Sequence, residues 1–228
     1  MQGRDLTAQL RAELQQIMPL VSAMTGLPSR WSGIVHLVHG ADFNGKKRFS
    51  CDIELNAALA TQDERWRTLI HEALHSCSAG YNRTDYNAQI GWEEGVVEQF
   101  QRLYRPNILS RLGVSIRESV FTDKEEEHAY NPYIAHLEML RKRVSYSEAE
   151  FYRTLLSIPI VERHVFMLNQ LRVLPIAMQQ TALMEFSIAN ARLREKPRVE
   201  GAYSERRSNG RSEAASAPDA DSPDFDRG

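Results

Sequence analysis

The chain has 228 residues, 42% of them apolar and 25% charged, with a formal net charge of −2. This is the balance of a folded chain in which about 150–200 residues enclose one core, and it points to neither a nucleic acid nor a membrane surface as the main partner. No run reaches the roughly 18 uninterrupted apolar residues of a membrane span, and two cysteines, Cys51 and Cys77, do not make a disulfide framework.

Leu6, Leu10, Leu14, Ile17, Val21 and Met24 recur at helical spacing and are interrupted by Arg4, Asp5, Arg11 and Glu13. The pattern predicts an amphipathic helix over 5–24, kinked near Pro19 and stopped by Gly26 and Pro28, rather than a secretory signal core. A cytoplasmic location is the expectation that follows.

Two strands are predicted next, Trp31–His39 and Phe49–Asn56, joined by a turn segment over 40–48 that contains the turn dipeptide Asn44-Gly45. In the second strand Phe49, Cys51, Ile53 and Leu55 share one face and Ser50, Asp52, Glu54 and Asn56 the other, the period of a half-buried strand.

A helix opening on the capping box Thr61-x-x-Glu64 carries the apolar stripe Trp66, Leu69, Ile70, Ala73, Leu74 and Cys77 and ends near Gly80 and Asn82. A loop through Asn87 leads to a helix over about 92–112, interrupted near Pro106. A charged loop follows over 122–127, and Asn131-Pro132 opens a helix through Val144, on which Arg141-Lys142-Arg143 reads as a solvated face. Two or three further helices, broken at Pro159 and Pro175, complete a domain over 1–195. The Ser-, Arg-, Gly- and Asp-rich tail over 196–228 has too few apolar residues to fold and is expected to be disordered.

The chemistry is concentrated in His71-Glu72-Ala73-Leu74-His75. Histidines at i and i+4 lie about 40° apart around a helix, so both imidazoles reach one point, and a glutamate about 100° from the first stands beside that point without ligating it. A hydrolytic zinc site needs this arrangement: converging ligands, an adjacent base and an open coordination position. The apolar stripe points nearly opposite to His71 and His75, so they are not core histidines of that stripe. Cys77 points into the stripe and is not expected as a ligand.

Eighteen residues after His75 comes Glu94, within Gly91-Trp92-Glu93-Glu94-Gly95-Val96-Val97-Glu98. Glu93 is a rival third ligand, about 100° around the helix from the face shared by Glu94 and Glu98, and the spacing favours Glu94. An HExxH followed by eighteen residues and a glutamate resembles the gluzincin signature of thermolysin-like peptidases. Trp92 before the ligand, Gly95 after it and Glu98 four residues on also resemble that context. The resemblance covers about residues 31–112. It implies a bound Zn2+ held by His71, His75 and Glu94, Glu72 as general base, and Glu98 as the carboxylate orienting His71. It also implies a Tyr or His downstream that stabilises the oxyanion; Tyr130 and Tyr133 are the expected catalytic candidates, with His128 a third. His36 and His164 are expected to be structural.

The resulting expectation is an α+β, zincin-like fold: a small N-terminal sheet on the His71 helix and a mostly helical C-terminal half. Its function would be zinc-dependent hydrolysis of protein or peptide substrates, as an endopeptidase, with the peptide lying along Phe49–Asn56 as edge strand. A metzincin would need a third histidine soon after His75, and the next is His128. No Gly-x-Met-Glu-Asn segment of the aminopeptidase kind is present. The alternative is a zinc-bearing regulatory or assembly protein, as of a mobile element or phage, with weak or no peptidase activity.

Overall fold

Leu10, Leu14, Ile17 and Val21, all fully buried, line one face of α1 (Gln2–Thr25). The computed structural model describes residues 2–197; the tail expected to be disordered lies, from residue 198 on, outside the described residues. Pro19 sits inside α1 without ending it. The helix stops where the Thr25 hydroxyl turns back onto the Val21 carbonyl at 2.9 Å and Gly26 takes a φ of 73°, a conformation glycine adopts without steric cost.

The sheet has three short strands: β1 (Val35–Val38), β2 (Gly45–Lys47) and β3 (Ile53–Asn56), in the order β1-β3-β2. β1 runs parallel to β3 with Val35 opposite Ile53, and β2 runs antiparallel with Lys46 opposite Glu54. Three expectations are corrected here. Both predicted strands are shorter: Gly33 and Gly40 take φ values of 83° and 67° on either side of β1, and Cys51 takes a φ of 71°, which breaks the alternation between exposed Phe49 and fully buried Ile53 and Leu55. The segment predicted as a turn contains β2. The strand within Phe49–Asn56 is the central one, so it has no free edge for a peptide.

α2 (Arg65–Cys77) follows. The capping box does not form: Glu64 makes no side-chain cap bond and instead takes the Lys124 ammonium at 2.7 Å. The predicted stripe is buried, but so are His71, Glu72 and His75 on the other face. α2 is enclosed by α1, β2 and α4 (Ile90–Arg111). Between α2 and α4 lies α3 (Arg83–Ala88), where a loop was predicted; the Asn82 side chain accepts from the Asp85 N–H and caps it. α4 runs through Pro106 as one helix.

α5 (Ser119–Glu125) stands where a charged loop was predicted, anchored by fully buried Phe121. α6 (Asn131–Val144) opens on Pro132 as expected, and α7 (Glu148–Ser157) is capped by Ser147. Pro159 precedes a 3-10 turn at Ile160–Glu162 and α8 (Arg163–Arg172), and Pro175 precedes α9 (Ile176–Arg192). The architecture is α+β, mostly helical, with one core reaching from Leu10 to Leu193. Two glycines of α4 let α6 come close. A Cβ at Gly91 would lie 2.7 Å from the Tyr133 ring, and one at Gly95 2.8 Å from Leu137. Gly95 after Glu94 is thus a packing requirement. No helix among the described residues is long and apolar enough to cross a membrane.

Candidate metal centre

One turn of α2 brings His71 and His75 over the first turns of α4, which supply Glu93, Glu94 and Glu98. His71 Nε2 lies 3.1 Å from Glu94 Oε2 and 3.1 Å from His75 Nε2, and His75 Nε2 lies 3.4 Å from Glu94 Oε2. Three donor atoms so arranged outline the face of a tetrahedron. With zinc bonds of about 2.0–2.1 Å, its edge would be about 3.3–3.4 Å. His71, His75 and Glu94, all buried, could therefore hold a metal ion.

The far side of each ring is fixed by a carboxylate, as metal-binding histidines require. Glu98 Oε2 accepts from His71 Nδ1 at 3.1 Å, the expected contact. Glu93, weighed in the sequence only as a rival ligand, instead holds His75 Nδ1 at 2.7 Å. Glu93 in turn takes Arg163 at 2.7 Å and the Ser78 hydroxyl at 2.8 Å. Arg163 also donates to the Trp92 carbonyl and to Ser78, so α8 reaches into the site. Glu98 is held by Arg67 at 2.8 Å and Arg102 at 2.9 Å.

The electrostatics follow from this packing. Burial depresses both histidines, but their carboxylate partners overcome it. Glu94 and Glu98 push His71 up to about 9. Glu94 and Glu93 push His75 up to about 10. Burial alone would raise Glu94; the charge of His75 and the hydrogen bond from His71 bring it below the usual range. Arg163 does the same for Glu93. Glu72, buried and not among the three converging donors, is shifted upward by burial, against the pull of both histidines.

The Lys47 backbone also draws the Glu72 pKa down slightly, against the larger effect of burial, which places Glu72 against β2. The approach is close: a Cβ at Gly45 would sit 2.3 Å from Thr68 Cγ2 and 3.2 Å from Glu72 Oε1. Gly45 is thus needed for space, not for a turn. Above these residues opens a cleft of about 660 Å³ lined by Glu72, both histidines, Glu94, β2, Tyr81, Tyr86 and Tyr130.

Of the expected oxyanion donors, Tyr130 lines the cleft, its ring stacked 6.1 Å from that of His71. The Glu94 carboxylate and burial together raise its hydroxyl, so it stays protonated. Tyr133 is corrected: its ring packs against Gly91 and its hydroxyl donates to the Glu195 carbonyl, outside the cleft lining. His128 stands edge-on to Tyr130, behind it, and burial pushes it down to about 4 despite Glu98 nearby. His36 pairs with Asp52 at 3.2 Å on the sheet, away from the centre.

Sequence reasoning missed Tyr86, whose hydroxyl donates to Glu94 Oε1, and Tyr81, whose ring lies 5.4 Å from that of His75. The Glu93-Glu94 doublet was the one available signal for a second carboxylate; nothing near Arg163 marked it. Comparison of the chain with family models, with curated proteins and with solved structures returned no match.

Proposed function

We propose that the chain is a zinc-dependent endopeptidase of the gluzincin type, with a zincin-like arrangement of β2, α2 and α4. One observation carries the reading. Three donor atoms converge at 3.1–3.4 Å on the floor of an open cleft, beside a buried glutamate that is not one of them.

Zinc held by His71, His75 and Glu94 would supply Lewis acidity and lower the pKa of a water toward neutrality. Glu72, raised by burial, takes a proton at its carboxylate and returns it to the departing amine. The close packing of β2 at Gly45 restricts where that carboxylate can swing. Tyr130, protonated and in the cleft, donates to the developing oxyanion. An extended peptide lies along β2, the edge strand that lines the cleft.

The test is peptide turnover in a proteome-derived library. The zinc-loaded wild type should cleave. Glu72→Gln should keep its zinc and lose a factor of about 10²–10⁴ in rate. A zinc-loaded wild type that cleaves nothing across the library would overturn the reading in favour of a regulatory or assembly role.

A further inference from the structure

Four cations line the cleft: Lys46, Lys47, Arg48 and Arg83. Arg48 is held by Glu54. Lys46 and Arg83 are exposed, and water satisfies them. Lys47 differs. It is 3% exposed, its Nζ rests 3.8 Å above the centre of the Tyr81 ring, and among the described residues its one hydrogen bond is a 3.4 Å contact to the Arg48 carbonyl. An ammonium carries three donors, and leaving a charge buried without an opposite charge is costly. Burial pulls its pKa below the ordinary lysine value and Arg30 adds to that, while Glu93 and Glu72 attract it only from beyond ion-pair distance. The aromatic rings of Phe49, Tyr81 and Tyr86, packed against one another, wall this corner of the cleft.

Lys47 also adjoins the reacting centre, because β2 packs against Glu72, where a Cβ at Gly45 would sit 3.2 Å from Glu72 Oε1, and Lys47 lines the same cleft. A group met by its ammonium therefore belongs to a residue close to the bond being cut. We propose that Lys47 forms a carboxylate-recognising subsite, and that the peptides taken by this cleft carry an acidic group within a residue or two of the scissile bond. The inference rests on the peptidase reading. The carboxylate is either an acidic side chain or the C-terminus of the substrate.

The experiment measures equilibrium binding of labelled peptides to full-length Glu72→Gln protein, zinc-loaded and metal-free. Each peptide is made with Glu or Gln near the expected cut, and with a free or an amidated C-terminus. Side-chain recognition appears as a Glu-over-Gln preference, terminal recognition as a free-over-amidated one. The expected preference is on the order of tenfold to a hundredfold, the range of charged hydrogen bonds. Adding Lys47→Met should bring the ratio near one, Lys47→Arg should retain a preference, and Lys47→Glu should favour peptides carrying Lys. Melting temperature and zinc content identify variants that have kept the fold. The inference is overturned if neither carboxylate is preferred, or if the preference survives in folded Lys47→Met. It is overturned alone if the wild type cleaves these peptides without an acidic preference. If the wild type neither binds nor cleaves any of them, the peptidase reading falls with it.

Discussion

Arg163 Nη1 lies 2.7 Å from Glu93 Oε2, with neither side chain exposed. Removing one partner of a buried pair leaves the other charge without compensation, at a cost of about 3–5 kcal/mol. Arg163→Met should therefore destabilise by that amount in urea unfolding. The double variant Arg163→Met with Glu93→Gln should lose markedly less than the two single effects added. Additive losses would show that the pair does not act as a unit.

Metal analysis should find about one zinc per chain, and Glu94→Ala should abolish it. Glu93→Ala and Glu98→Ala remove carboxylates that orient His75 and His71, so both should keep the site but weaken zinc by about 10–100-fold in chelator competition. If Glu94→Ala kept zinc and Glu93→Ala lost it, the two glutamates would exchange roles.

Without metal, His71 and His75 hold their protons up to about 9 and about 10, above the ordinary histidine value. Their protonation thus favours the metal-free fold below about pH 6.5, and this contribution fades as pH rises through 9 to 10. Zinc must displace those protons, so its apparent affinity should rise with pH across the neutral range, with about one to two protons released per ion at pH 7. Calorimetry in buffers of different ionisation enthalpy measures that number. A heat independent of buffer would contradict it.

Gly45→Ala forces a methyl to within 2.3 Å of Thr68 Cγ2, a β-branched group on a helix that cannot swing aside. Overpacking of this kind costs about 1–3 kcal/mol, and here it also pushes on Glu72. Adding Thr68→Ser removes the clashing methyl and should restore much of the lost stability in thermal unfolding. A neutral Gly45→Ala would mean that β2 moves away freely.

The parts of the molecule legible in the sequence are those fixed by short-range geometry. The placement of His71, Glu72 and His75 follows from helical spacing alone, and Asn131-Pro132 marks the start of α6 because proline fits a first helical turn. β2 was not legible. Gly-Lys-Lys has no strand-forming side chains, and its conformation is imposed by pairing with β3 and by its approach to Thr68. α3 is a single capped turn or so, too short for periodicity to reveal, so Tyr86 could not be connected to Glu94. Arg163 sits between Glu162 and His164 and reads as surface; the distant Glu93 carboxylate, with the Trp92 carbonyl and the Ser78 hydroxyl, makes its burial tolerable.

Residues 71–98 look like a portable cassette, two helices bearing every proposed ligand. The burial of α2 on all sides argues otherwise. Its polar face is flanked by β2 from upstream, and His75 is steadied through Glu93 by an arginine from α8, far downstream. Grafting the two helices onto another scaffold would carry over the ligands but leave Glu93 without its arginine partner in a dry interior. Clipping the chain ahead of α8 would do the same to the native protein. The smallest transferable unit is therefore close to the whole folded domain.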